Sequence, residues 1–357
     1  MKNKQHTANY RQKVLFLIGY CVLSVVYCFP QQTKIDSLIY SLKNAKYDTS
    51  RIRLRNEIGV EGMIFRIGYW DSLRNDAGKY DMKKFEANAL NNIGYIYQLQ
   101  GQIDKTLEFL HKSLAIREKI NDKQGISNSL NNIAFIYQNH GQIEKALEYY
   151  HKSLAINEEI NDKGALAYSL NNIAFLSQQK GEIDKALEYY DKSLSIRKEI
   201  KDKRGIAESL HNIASIYQDK KEIDKALEYF NESLSIYEEI NDKQGTAITL
   251  NSIGKIEFDQ GKYKEAEARS SRSLEIGKEL GYPEIISSAS KMLSDIYAKT
   301  DRYKNAYENY VLFKKMADSV FNRETQKSVV EKQMQYEFEK KETVLKADQE
   351  KKNIAQM

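Results

Sequence analysis

Pairs of asparagines recur in this chain at a constant interval: Asn91-Asn92, Asn131-Asn132 and Asn171-Asn172, then His211-Asn212 and Asn251-Ser252 in the same positions. Asparagine weakens a helix by up to about 0.7 kcal/mol relative to alanine. Eight of them at roughly 0.5 kcal/mol each forfeit about 4 kcal/mol of helix propensity, so their recurrence suggests a use. A side-chain amide both donates and accepts, the complement of a peptide backbone. Tyr95, Phe135 and Phe175 stand one helical turn beyond each pair, and Gln98, Gln138, Gln178 and Gln218 almost a turn further. Aromatics add flat apolar contact at low entropic cost. The chemistry these residues suit is recognition of a polypeptide.

Reactive chemistry has no comparable signature. The sequence holds no phosphate-cradling glycine loop, no HExxH and no Gly-x-Ser-x-Gly. His6, His111, His140, His151 and His211 are scattered. Loops such as Asn121-Asp122-Lys123 lack the alternating carboxylates and closing glutamate of a calcium loop, so helix capping is their expected role. No catalytic residue, cofactor or metal site is therefore expected, and the chain reads as a non-enzyme.

The elements that hold the asparagines repeat every forty residues. "SLNNIAFIYQNHGQIEKALEYYHKSLAINEEINDKG" begins at Ser129; close copies begin at Ala89, Ser169 and Ser209, a looser one at Thr249 and a degenerate one at Ser290. Leu130, Ile133, Ala134 and Tyr137 fall at i, i+3, i+4 and i+7, one face of a helix. After a turn near Gly141, Ala146, Leu147, Tyr150, Leu154 and Ile156 form a second stripe. Such a hairpin cannot bury its apolar face alone, whereas a stack of them shares one continuous core. The expected fold is an all-α solenoid with the first helices along its concave side. Residues between the apolar columns, Asn131, Asn132, Phe135 and Gln138 among them, should then point away from the core. Tyr168, Glu208, Ser215 and Lys255 are the varied positions expected to supply selectivity.

The pattern Leu130, Ile133, Ala134, Tyr137, Gly141, Ala146, Tyr150 resembles the tetratricopeptide repeat, whose usual period is about 34. The longer period is similar to that of kinesin light chains and Pins-type adaptors. Resemblance covers residues 89–320 and implies a right-handed superhelix, with Asn92, Asn132, Asn172 and Asn212 at positions that contact bound peptide backbone. Departures occur at Ser177 and Glu257 for tyrosine, Lys221 and Asp301 for glycine, and Thr106 for alanine; local loosening is expected there. Phe65 to Tyr80 aligns with a second helix, which places Trp70 in a core slot, and residues 33–46 read as a capping helix.

The ends differ in character. Residues 1–29 hold Lys2, Lys4, Arg11 and Lys13 and no acid, and removing those charges from the net +5 leaves the rest at +1. A nucleic-acid partner is accordingly not expected. Val14 to Phe29 is uncharged, shorter than the roughly 20 residues of a bilayer span and slightly longer than a signal core of about 7–15. Residues 1–30 thus read as a signal peptide or N-terminal anchor of a bacterial protein that is exported, periplasmic or membrane-associated. Cys21 and Cys28 both lie inside this segment. Residues 321–357 carry no glycine or proline, are rich in charge, and place Val330, Met334 and Phe338 at i, i+4, i+8. They read as a helical or coiled-coil connector, similar to the one in bacterial membrane sensors that join such repeats to an output domain.

The expected organisation is 1–30 leader, 31–86 capping helix and worn repeat, 87–320 solenoid of about six repeats, and 321–357 connector. The leading functional reading is an exported module that binds a protein or peptide segment. Its groove would be lined by Asn91, Asn92, Tyr95, Gln98, Asn131, Asn132, Phe135, Gln138, Asn171, Asn172, Phe175, Gln178, His211, Asn212, Gln218 and Asn251. The alternative is the sensory half of a membrane-bound signalling protein. Membrane attachment through the leader or through a region beyond this chain, and self-association through the connector, stay open. A third reading, a repeat-containing phosphotransfer modulator, conflicts with the export signal because such partners are cytosolic.

Overall fold

The computed structural model describes residues 37–61 and 67–319, apart from 39, 43 and 46. The expected leader and connector lie outside the described residues. Helix α1 spans Asp48–Glu61 and α2 Ile67–Lys79. Six hairpins follow. Their first helices are α3 (Lys83–Leu99), α5 (Lys123–Asn139), α7 (Lys163–Gln179), α9 (Lys203–Asp219), α11 (Lys243–Asp259) and α13 (Pro283–Lys299). Their second helices are α4 (Ile103–Lys119), α6 (Ile143–Glu159), α8 (Ile183–Glu199), α10 (Ile223–Glu239), α12 (Tyr263–Leu280) and α14 (303–319). Among the described residues every regular element is helical, and no helix is long and apolar enough to cross a membrane.

Helices α2 to α13 end through the same device. A residue with left-handed φ follows the last turn: Gly101, Gly141, Gly181 and Gly261 after first helices, Asn121, Asn161, Lys201 and Asn241 after second ones. The next amide then reaches back five residues, as from Gln142 to the Tyr137 carbonyl at 2.9 Å and from Asp122 to the Arg117 carbonyl at 2.9 Å, which satisfies carbonyls that a helix end leaves open. Lys221 and Asp301 hold φ of 62° and 56° and keep that bond at 2.9 Å through Glu222 and Arg302. The loosening expected at these two positions does not occur. Thr106 also fits, fully buried, with its hydroxyl donating to the Gln102 carbonyl at 3.0 Å. Asp122, Asp162, Asp202 and Asp242 cap the following first helices by accepting from the amides of Gly125, Ala165, Gly205 and Gly245 at 2.9–3.2 Å.

Two contacts set the stack. Within a hairpin, Ser113, Ser193, Ser233 and Ser273 are wholly buried, and each donates to the carbonyl of the alanine twenty-six residues earlier at 2.8–2.9 Å. Between hairpins, the end of one second helix meets the start of the next first helix, and the residues there complement each other in size. Arg117, Arg197 and Tyr237 face Gly125, Gly205 and Gly245, where an added Cβ would lie 2.0, 2.7 and 2.3 Å from them. Asn157 occupies the same position ahead of Ala165, and Gly277 ahead of Ile285, so large, medium and small are matched by small, medium and large. Trp70 is 2% exposed, packs edge-on against Tyr69 at 5.5 Å and serves the core of the leading hairpin.

Candidate functional site: a groove along the first helices

The first helices turn one face into the apolar stack and leave the other to a line of cavities. One of about 310 Å³ lies among Asn91, Asn92, Tyr95, Gln98, Asn132, Phe135 and Tyr168. A smaller one, about 190 Å³, is bounded by Asn171, Glu208, His211, Asn212, Ile248 and Thr249. At the far end a space of about 980 Å³ is walled by Ile248, Tyr282, Met292 and Phe313, with Gln218, Asn251, Lys255 and Asp295 at its polar edges. Nearly all these side chains come from first helices or from the turn into one.

The amide rows divide into two kinds. Asn132 donates to Asn91 Oδ1 at 2.9 Å and Asn212 to Asn171 Oδ1 at 3.3 Å, each crossing to the preceding repeat. Asn131 is 7% exposed and accepts from Ser169 Oγ at 3.2 Å. His211 meets Thr249 Oγ1 at 3.1 Å and packs edge-on to Phe230 at 5.0 Å. Burial drives the His211 imidazole down to about 4. Asn131 and His211, expected to point away from the core, therefore sit at the seam between repeats, because the next first helix approaches closely enough to seal them. The second asparagines stay at the groove. Asn132 is exposed, Asn92, Asn172 and Asn212 are half-buried, and Asn172 Nδ2 has no protein partner. Asn251 Oδ1 is likewise buried and unpartnered beside the cavity of about 980 Å³.

Tyr95, Phe135 and Phe175 are 45%, 36% and 37% exposed, one per repeat. Gln138 has a further task, accepting from the buried Tyr150 hydroxyl at 3.0 Å. Gln178 instead reaches Asp219 at 3.5 Å, and the Tyr190 hydroxyl is unpartnered. Gln98 and Gln218 are half-buried. The sequence reading missed Ile248, Tyr282, Met292 and Phe313, which surround the large cavity. Ile248 lies three residues before Asn251, and that helical spacing was the available signal. Phe313 belongs to a second helix, so no first-helix pattern could show it. Also missed were the buried guanidiniums: Arg117 donates to Asn88 at 2.8 Å, and Arg197 to Glu208 at 3.0 Å.

Residues 85–159 and 165–239 match one tetratricopeptide-repeat family model and residues 246–280 another. With the hairpin stack and its groove, this defines a helical-repeat solenoid; the chain belongs to the tetratricopeptide-repeat family. No curated protein matches it in sequence. Solved structures share its fold. The apo form of the quorum sensor NprR from B. thuringiensis is 17% identical, with 85% of this chain and 84% of that one covered and a TM-score of 0.62. A signal-transduction ATPase with a tetratricopeptide repeat sensor from Pyrococcus horikoshii is 19% identical over 79% of this chain and 44% of that one, at a TM-score of 0.62. A Rap protein complexed with Competence and Sporulation Factor is 14% identical over 77% of this chain and 76% of that one, at 0.54.

Proposed function

We propose that this chain is an exported protein-interaction module that holds an extended segment of a partner protein along the groove of its first helices. The observation that carries the reading is the row Tyr95, Phe135 and Phe175, large apolar side chains left open once per repeat beside the second asparagines. Amides that bond a backbone and aromatics that cover it suit an extended peptide. The bound factor in the Rap complex supports a ligand-holding role for this fold. Export is supported by the basic, then apolar, first thirty residues. The sensor repeats of the P. horikoshii ATPase favour the second reading, in which the module is the input of a membrane-bound signalling protein.

The test separates the two amide rows. Peptides selected from a random display library on the wild-type protein are titrated against Asn132→Ala combined with Asn172→Ala, and against Asn131→Ala. The first variant should lose affinity with its melting temperature nearly unchanged, and the second should lose stability by about 1–2 kcal/mol. Equal affinity of all three proteins for every selected peptide would remove the groove from the account. A reporter fused after Gln31, followed by fractionation, checks the location.

A further inference from the structure

The aromatic row of the groove lies in a strip without charge. The first helices of the first three hairpins hold no acidic or basic residue over 87–99, 124–139 and 164–179. The next first helix carries Arg204, Glu208 and Asp219 in the corresponding stretch. Tyr95 and Phe135 line one cavity of about 310 Å³ together with Tyr168, which leaves room for a side chain between successive rings. Adjacent first helices touch through Asn132 on Asn91 Oδ1 and Asn212 on Asn171 Oδ1. Helices packed in direct contact lie about 8–10 Å apart, so the rings recur at about that step.

We propose that the segment bound here is a polyproline II helix with an apolar residue, proline foremost, at every third position. This rests on the peptide-binding role proposed above and names the conformation and chemistry of what is bound. Polyproline II rises about 3.1 Å per residue with three residues per turn, so side chains on one face recur about every 9 Å, in step with the rings. A flat β-strand repeats a face at about 6.6 Å and about 13 Å, out of step with them. An α-helix matches the step only at about every seventh residue, and its backbone is already bonded to itself. Asn92 and Asn132 each commit an Nδ2 donor to the protein, to the Asn88 carbonyl and to Asn91 Oδ1, both at 2.9 Å. Their Oδ1 atoms are left to accept from a ligand N–H. Polyproline II has no internal hydrogen bonds, so the residues between its prolines keep N–H groups for those oxygens. A charge facing the strip would lose water without gaining a counter-charge, which selects an uncharged segment. Aromatic-lined grooves suit such a segment because its preformed helix loses little entropy on docking.

The experiment selects random displayed dodecamers on the full chain and on its Phe135→Ala, Phe175→Ala variant, and sequences both pools. The wild-type pool should enrich proline or another apolar residue at separations of three and six, several-fold over separations of two, four and seven; the variant pool should not. The tightest peptide is then synthesised with and without one alanine inserted between its first two anchors. That insertion shifts every later anchor off its ring and should weaken binding by about tenfold or more in calorimetry, as displacement of a dominant contact does. Enrichment at a separation of seven would assign the groove to an α-helix and enrichment at two to a β-strand, and either would overturn the proposal. So would an insertion that leaves the affinity unchanged. In those cases binding that still depends on Phe135 and Phe175 keeps the groove as the site. Peptides that bind both proteins equally would remove the groove and this inference together.

Discussion

The two halves of the groove rest on nearly the same scaffold and present different surfaces. In the first three hairpins the position one turn beyond the asparagines is Tyr95, Phe135 or Phe175, and the flanking side chains are neutral amides with Tyr168. In the last three it is Ser215, Lys255 or Asp295. There the lysines are held along their own helices, Lys255 by Asp259 and Lys291 by Asp295, both at 2.6 Å. Apolar surface shifts instead to Ile248, Tyr282, Met292 and Phe313 around the large cavity. The core slots barely change across the same distance: isoleucine or leucine at 93, 133, 173, 213, 253 and 293, all buried. Close packing constrains a slot from every side, whereas a groove position is constrained only by what it binds. Divergence at the groove therefore marks a part of the repeat free to specialise.

The largest expected effect tests that division directly. Phe135→Ala with Phe175→Ala should weaken an extended peptide ligand by about 4 kcal/mol, since truncated aromatic anchors typically cost about 2 kcal/mol or more each. Lys255→Ala with Asp295→Ala should change the same titration by about 0.5 kcal/mol or less, because exposed pairs of this kind contribute little. Calorimetry that ranks the two doubles the other way would reverse the roles of the halves.

At the boundary between them, His211 occupies a column filled by asparagine at 91, 131, 171 and 251. Its imidazole titrates near 4 when folded because burial disfavours the cation, against about 6.5 in an unfolded chain. Between these values the unfolded chain binds more protons. Stability that is complete above pH 6.5 is therefore lost as pH falls toward 4, by up to about 3 kcal/mol. His211→Asn should flatten that part of the difference between wild-type and variant unfolding curves. Parallel curves from pH 7 to 4.5 would place the imidazole in contact with water.

The joints between hairpins offer a third contrast. Gly245→Ala drives a methyl against the Tyr237 ring and should destabilise by about 1–3 kcal/mol in urea melts. Gly164→Ala, where the nearest atom is Asp162 Oδ1 at 3.5 Å, should stabilise by about 0.5–1 kcal/mol through helix propensity. The smallest effect separates two look-alike tyrosines of the first half. Tyr150→Phe removes the bond to Gln138 and should cost about 1 kcal/mol, while Tyr190→Phe removes an unpartnered hydroxyl and should be neutral or mildly stabilising. Equal losses would mean that Tyr190 has an equivalent acceptor.

Much of the fold could be read because its information is local and repeated. The stripe Leu130, Ile133, Ala134 at helical spacing names a buried face, and the Asn-Asp-Lys loop combines a left-handed residue with an N-cap at each return. The groove was legible only in part. Asn131 and Asn132 are adjacent and alike, and periodicity puts both outside the apolar stripe, yet one is sealed against Ser169 while the other stays exposed. The match between Arg117 and Gly125 or Tyr237 and Gly245 was equally invisible, since each residue is unremarkable until its neighbour's volume is known.

By itself, then, the amino-acid sequence determined that helical hairpins recur at forty residues and which columns they bury, because helix geometry and apolar spacing act within a single repeat. Only the tertiary structure decided which amides knit the repeats and which remain for a ligand, and where the groove widens into a cavity. Those outcomes depend on how closely one hairpin settles on the next. That approach is set by side-chain volumes on two helices at once, which no single repeat contains.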